Sequence, residues 1–256
     1  MSGMLVGMER LSTKSMQLVN GVRDLLFPPA CLFCQKIVNS GERQQACCAD
    51  CFEQIHIWPL SHCYTCGREI PAEMAPGPCG FCLSHPPAQQ QTMNLYSYHG
   101  PVRDAILDWK LNGREAAVRW LVDAALPRIR TELVPGTLCI PIPMPLTRMR
   151  KRGQHHAANL CRWISTGLDY PWQWQLLRRQ GEQPRQSSLS GKARRTNLCK
   201  AFVLCHDYEQ YIGEVSSLCI VDDIMTTGAT LDYAARVSRK TGLPVSVLSL
   251  ARTIRE

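Results

Sequence analysis

The sequence predicts an α/β protein built on a parallel sheet and preceded by a small module that metal ions staple together. Three observations predict it. Short continuous apolar runs alternate with helical stretches from about residue 95 onward; four Cys-x-x-Cys pairs lie between Cys31 and Cys82; and residues 219–230 read as a buried strand, two carboxylates, a small-residue turn and a helix start. The 256 residues suffice for a large domain with an appendage, and 45% hydrophobic with 20% charged residues is ordinary globular composition. No stretch approaches the roughly 18 uncharged apolar residues that span a bilayer, so membrane insertion is excluded.

In chain order, residues 1–30 place Leu11, Met16, Leu18, Val19, Val22, Leu25 and Leu26 partly on one helical face and stop at Pro28-Pro29, which cannot continue a helix. This is an accessory N-terminal helix. Glu9, Arg10 and Lys14 interrupt it early, so it does not read as an export signal, and a reducing compartment follows.

Residues 31–85 are rich in Cys, Gly and Pro and hold too little apolar mass for an unaided core. The pairs Cys31/Cys34, Cys48/Cys51, Cys63/Cys66 and Cys79/Cys82 are separated by 13, 11 and 12 residues. A two-residue spacer turns both thiolates of a knuckle toward one ion, and two knuckles complete the tetrahedral sulfur shell that zinc takes. Eight ligands make two structural zinc sites in a duplicated unit, a double zinc ribbon. All-cysteine shells leave no open position for a substrate, and a redox role needs only one pair. Spacing leaves open which pairs combine: first with second and third with fourth, or a crossed arrangement. Cys47 is a spare thiol, and His62 and His85 flank the cluster. Cys139, Cys161, Cys199, Cys205 and Cys219, scattered singly, read as small core residues.

Residues 90–256 form the α/β domain. Strands are expected at 95–98, 138–143, 201–204, 218–221 and 245–250, with helices over 100–111, 114–130, 153–167 and 229–241. Runs such as Leu218-Cys219-Ile220-Val221 suit strands covered on both faces. In such a sheet the ligand crevice lies beyond the carboxyl ends of the strands, where Asp222 and Asp223 fall. The turn Thr226-Thr227-Gly228-Ala229-Thr230 offers backbone N–H groups, hydroxyls, little bulk and a helix start, which together cradle a phosphate monoester. Two carboxylates repel a phosphate, so they serve sugar hydroxyls or a Mg²⁺ ion instead. A sugar phosphate satisfies both halves. A phospho-acceptor site of receiver type would place its acids after an early strand and is set aside.

The ordered string Val221-Asp222-Asp223-Ile224-Met225-Thr226-Thr227-Gly228-Ala229-Thr230 resembles the phosphoribosyl-pyrophosphate motif of type I phosphoribosyltransferases. Joined to the cysteine module, it resembles the ComF/GntX family, bacterial proteins that pair a double zinc ribbon with a phosphoribosyltransferase-like domain. Residues 96–121 are similar to the family's lead-in and lysine-containing helix, 141–153 to its proline-rich strand and basic loop, and 186–202 to its Leu, paired Arg, Asn and Phe segment. After Gly153 the family has Phe-Asn-Gln where this chain has Gln154-His155-His156. The two histidines read as an exposed helix start.

The resemblance implies a type I phosphoribosyltransferase-like fold and phosphoribosyl pyrophosphate held with Mg²⁺ by Asp222, Asp223 and residues 226–230. It places Lys110 at the family's lysine, and it sets Arg148, Arg150, Lys151 and Arg152 beside the pyrophosphate and Arg194 and Arg195 on a closing segment. It gives a purpose to the stretch from Pro141 to Phe202, where twelve Lys or Arg face two acids within a chain of net charge +8. It also implies a cytoplasmic protein of DNA uptake that handles single-stranded DNA with partners in that machinery; Trp163, Trp172 and Trp174 near the basic stretch suit base stacking, though core packing is the usual fate of such residues. The alternative is an enzyme that transfers the phosphoribosyl group to an acceptor and releases pyrophosphate, and no segment identifies that acceptor.

Overall fold

The computed structural model describes residues 28–38, 46–59, 61–74, 77–145, 147, 149–150, 153–180 and 201–254. The helix expected ahead of residue 28 lies outside them, as do Arg148, Lys151, Arg152, Arg194 and Arg195. The chain separates into two compact units, Met1–Ile55 and His56–Glu256.

In the first unit the Cys31–Cys34 knuckle is a turn in which the Gln35 N–H donates to the Cys31 carbonyl at 3.0 Å, and helix α1 (Ala49–Glu53) carries Cys51 one turn after Cys48. The second unit repeats the device. Gly67 N–H donates to the Cys63 carbonyl at 2.7 Å, and helix α2 (Gly80–Ser84) carries Cys82 one turn after Cys79. Each knuckle is flanked by an antiparallel bridge, Ala30 with Ile37 and His62 with Glu69. The residue closing each knuckle has positive φ, 64° at Gln35 and 67° at Gly67, so the near-equal cysteine spacing does reflect a duplicated unit.

Among the described residues, the second unit also holds a four-stranded parallel sheet. Its strands are β1 (Gln91–Ser97), β2 (Thr137–Pro141), β5 (Ser217–Met225) and β6 (Val245–Arg252), in the spatial order β1-β6-β5-β2. Helices α3 (Gly100–Asn112), α4 (Ala116–Glu132) and α5 (His156–Leu168) pack in succession, and α5 lies on β2 and β5. Helix α6 (Ala229–Ser238) lies on β5 and β6, burying Leu231, Ala234 and Ala235 against Leu218, Ile220, Val245 and Val247. The alternate residues, among them Cys219 beside Cys139 and Cys161, serve the α5 face. These three cysteines are fully buried core residues, as expected.

Both sheet edges are covered, which removes the pairing hazard of an open strand. Pro171 and Gln173 bond Cys139 on the outer side of β2, and Trp58 N–H donates to the Leu95 carbonyl on the outer side of β1.

Four differences from the sequence reading have physical reasons. First, β1 begins at Gln91 rather than at residue 95. Its polar residues Thr92 and Asn94 are buried under the second ribbon, where Thr92 Oγ1 donates to Thr65 O at 2.6 Å and Asn94 Nδ2 to Gly67 O at 3.3 Å. Second, the strand expected at 201–204 becomes β4 (Phe202–Leu204), which pairs antiparallel with an unforeseen β3 (Leu177–Arg179) and closes the core cluster instead of joining the parallel sheet. Third, β5 continues to Met225, and among the described residues its last residues pair only with β6. On the other side β2 stops at Pro141; Ile142 still donates to Val221, and Pro143 and Pro145 have no N–H to extend the ladder. Fourth, His155 and His156 are not an exposed helix start. His156 is buried edge-on against Trp109 at 4.6 Å, and Trp109 packs on Trp163 at 5.4 Å.

Candidate functional site

Because β5 outruns β2, Asp222 and Asp223 stand on a ledge at the carboxyl end of the sheet, and among the described residues no strand lies beside them on one flank. That ledge is the floor of a cavity of about 230 Å³. Lys110, Met144, His155, Arg179 and Thr230 are among its other walls. Lys110, on the last turn of α3, places Nζ 2.8 Å from Asp223 Oδ2, with both side chains about four-fifths covered. The backbone N–H of Asp223 donates to Asp222 Oδ1 at 2.8 Å. Burial and the neighbouring Asp223 charge nevertheless push the Asp222 carboxyl up to about 8, against that N–H and Lys110. Lys110 pairs with Asp223, and a cation or hydroxyl donors brought to the cleft would favour the ionised form of Asp222.

The turn after β5 carries Thr226 and Thr227 exposed and Gly228, Ala229 and Thr230 half-exposed. Gly228 precedes α6 with φ of 80°, and Ala229 N–H donates to Thr227 Oγ1 at 3.3 Å. Thr230 faces the acid cavity, while Thr227 faces two cavities on the other side of the turn.

Sequence reasoning missed two residues of this cleft. His155 caps α5: its Nδ1 faces the Ala158 N–H at 3.0 Å and its Nε2 the Met144 N–H at 3.2 Å, and burial lowers its pKa. A neutral imidazole has one bare nitrogen, so it accepts one of these bonds at a time. Arg179, on β3, lines both the acid cavity and an adjoining apolar cleft of about 280 Å³ that includes Met144, Met149 and Trp174. Nothing set Arg179 apart from the other cations of the basic stretch. Arg150 is exposed and lines none of these cavities.

The cysteines form two tetrads, Cys31/Cys34/Cys48/Cys51 and Cys63/Cys66/Cys79/Cys82, each with its sulfurs within 4.8 Å of one another. This is the sequential arrangement, and the crossed one is excluded. Sulfur separations of 3.7 Å (Cys34–Cys48), 3.8 Å (Cys63–Cys82) and 3.9 Å (Cys66–Cys79) match the roughly 3.8 Å edge of a tetrahedron with zinc–sulfur bonds of about 2.3 Å. The donor set therefore fits structural zinc in both ribbons. Cys47 stays outside the tetrad, its thiol pushed up to about 12 by burial and by the Cys31 sulfur. His62 turns to the Pro59 carbonyl and His85 stacks on Phe81, so neither replaces a cysteine.

Residues 22–83 match the double zinc ribbon domain family. Competence protein F of Haemophilus influenzae is 29% identical over 228 residues, covering 87% of this chain and 96% of its own. Over most of its length the chain is thus similar to a protein named for competence, and its cysteine module to the double zinc ribbon. DNA utilization protein YhgH of Escherichia coli K12 is 28% identical over 198 residues, 75% of this chain and 84% of that protein. Competence protein ComFC of Bacillus subtilis is 24% identical over 160 residues, 62% of each. Among solved structures, hypoxanthine phosphoribosyltransferases of Staphylococcus aureus and Trypanosoma cruzi each overlay 54% of this chain, and 73% and 74% of their own. Identities are 9% and 15% and both TM-scores are 0.33, overlays too loose to carry an argument.

Proposed function

We propose that the chain binds phosphoribosyl pyrophosphate, or a related sugar phosphate, at the end of β5 and acts in DNA uptake in the cytoplasm by handling single-stranded DNA with other uptake proteins. The observation that carries the ligand is the joint placement of Lys110, Asp223 and Asp222 in one cleft with the open Thr-Thr-Gly-Ala-Thr turn behind them. In this reading backbone N–H groups of residues 226–230 hold the 5′-phosphate and the two carboxylates take ribose hydroxyls. Asp222 and Asp223 are also the oxygen donors that would hold Mg²⁺, which offsets charge on the pyrophosphate when bound. Arg148, Arg150, Lys151 and Arg152, with Arg194 and Arg195, are proposed for the pyrophosphate side. The DNA role is supported by the relatives that span most of this chain, named for competence and DNA utilization.

The apolar cleft beside Arg179 and Trp174 favours a second reading, transfer of the phosphoribosyl group to an acceptor with release of pyrophosphate. One experiment addresses both. Titration of the full chain with phosphoribosyl pyrophosphate and Mg²⁺ gives saturable heat for the native protein and none for Asp222→Asn/Asp223→Asn, while single-stranded DNA binding survives the double change. Absence of heat with the native chain removes the ligand reading, and pyrophosphate accumulating on addition of candidate acceptors selects the enzyme.

A further inference from the structure

We infer that the second zinc ribbon is a working wall of this site: Arg68 presents a cation to the phosphoryl group on residues 226–230, and Arg252 ties the metal knuckle to the floor of that turn, so zinc occupancy sets ligand affinity. This rests on the phosphate reading of the turn given above.

The turn has no cationic side chain of its own; on the β5 side stand two carboxylates with Lys110 paired to one of them, and on the α6 side Asp232, paired to Arg236. On the ribbon side, two cavities of about 540 and 450 Å³ meet at Thr227, and Arg68 and Arg252 line both. The second of these reaches Gly228, Ala229, Phe81 and Arg236. The arginines are not equivalent. Arg236 pairs with Asp232 at 3.0 Å. Arg252 is buried, with one guanidinium nitrogen 2.6 Å from the Cys66 carbonyl. Arg68 is exposed, resting 5.4 Å over the Phe81 ring, and no salt bridge engages it among the described residues. Its charge is available to a phosphoryl group at Thr227, where a guanidinium forms charge-assisted bonds with anionic oxygens.

Arg252 acts by holding the turn. The nitrogen that donates to Cys66 O also reaches Met225 Sδ at 3.4 Å, and its guanidinium lies 5.6 Å over Trp58. The Met225 methyl fills the space under Gly228, where an added Cβ would come within 2.4 Å of it. Knuckle, arginine, methionine and glycine thus form one packed series from the zinc ligand Cys66 to the start of α6. Partners behind a metal ligand orient it and are oriented by it. Loss of the ion frees the Cys66 carbonyl from its place, and with it the support of the turn.

The test is calorimetric titration with phosphoribosyl pyrophosphate and Mg²⁺, with zinc content measured alongside and ³¹P NMR of the bound 5′-phosphate. Arg68→Ala is expected to weaken binding about tenfold at unchanged zinc content and melting temperature, the scale of one charge-assisted bond; Arg68→Lys recovers part of the loss. Arg252→Gln weakens binding and shifts the bound ³¹P resonance at unchanged zinc content. Cys82→Ser lowers zinc content and affinity together, and Lys240→Ala, in the 3-10 turn that follows α6, changes neither. Equal affinity for native, Arg68→Ala and Arg252→Gln proteins overturns the inference and leaves the phosphate reading standing. A native protein that does not bind overturns that reading, and this one with it.

Discussion

Asp222 is the residue whose chemistry the environment alters most among the acids of the cleft. Raised to about 8, it keeps its proton between roughly pH 4 and pH 8 in the folded chain, whereas the unfolded chain has released it. The folded state therefore holds more protons than the unfolded state in that window, and stability falls as pH rises through it. Asp222→Asn removes this penalty, so the melting temperature of the ligand-free variant should exceed that of the native protein at pH 8.5 by more than at pH 5. A difference that does not depend on pH contradicts the assignment. The acid pair stood out by its place at the end of a strand, and Lys110 only through the family resemblance. His155 and Arg179 did not stand out, because a capping histidine and one arginine among twelve cations carry no local pattern that marks them as facing a cavity.

At the scale of elements, the two ribbons share a fold but not a fate. In the second, Gly67 lies against β1, and an added Cβ would stand 2.3 Å from Asn94 Nδ2 and 2.7 Å from Thr92 Cγ2, at a φ of 67°. The first ribbon holds Gln35 at the matching position with nearly the same φ. Gly67→Ala is expected to destabilise the second unit by about 2 kcal/mol or more, through strain and lost docking bonds. That lowers the melting temperature by roughly 4–8 °C. Gln35→Gly should be neutral or slightly stabilising, and equal effects at the two positions would show that docking is not the cause. The double ribbon was readable from spacing alone. The start of β1 was not, because Gln91, Thr92 and Asn94 read as a polar approach to a strand until the second ribbon's carbonyls supply their partners.

For the whole molecule, the excess of base from Pro141 to Phe202 is the stretch proposed to meet DNA. Of the cations there that the structure describes, Arg150, Arg162 and Arg178 are exposed. Single-stranded DNA binding that uses four or more such contacts should weaken with salt along a log–log slope of about −3 or steeper. Asp222→Asn/Asp223→Asn should leave that slope unchanged. Fluorescence anisotropy with a labelled oligonucleotide measures it, and a flat salt response counts against the basic stretch as a phosphate-tracking surface. No helix among the described residues is long and apolar enough to cross a membrane.

Residues acting over short spans determined what could be read without coordinates: two thiolate tetrads, because a knuckle is a local turn, and an acid pair followed by a Thr-Gly bend, because strand, bend and helix start are contiguous. Tertiary structure alone decided that β2 stops short of β5 to leave the acids on a ledge, that Lys110 arrives there from α3, and that the second ribbon lies over Thr92, Asn94 and Arg252. Those outcomes depend on strand order, register and burial between segments far apart in the chain, where each partner's pattern is complete only once the other is in place.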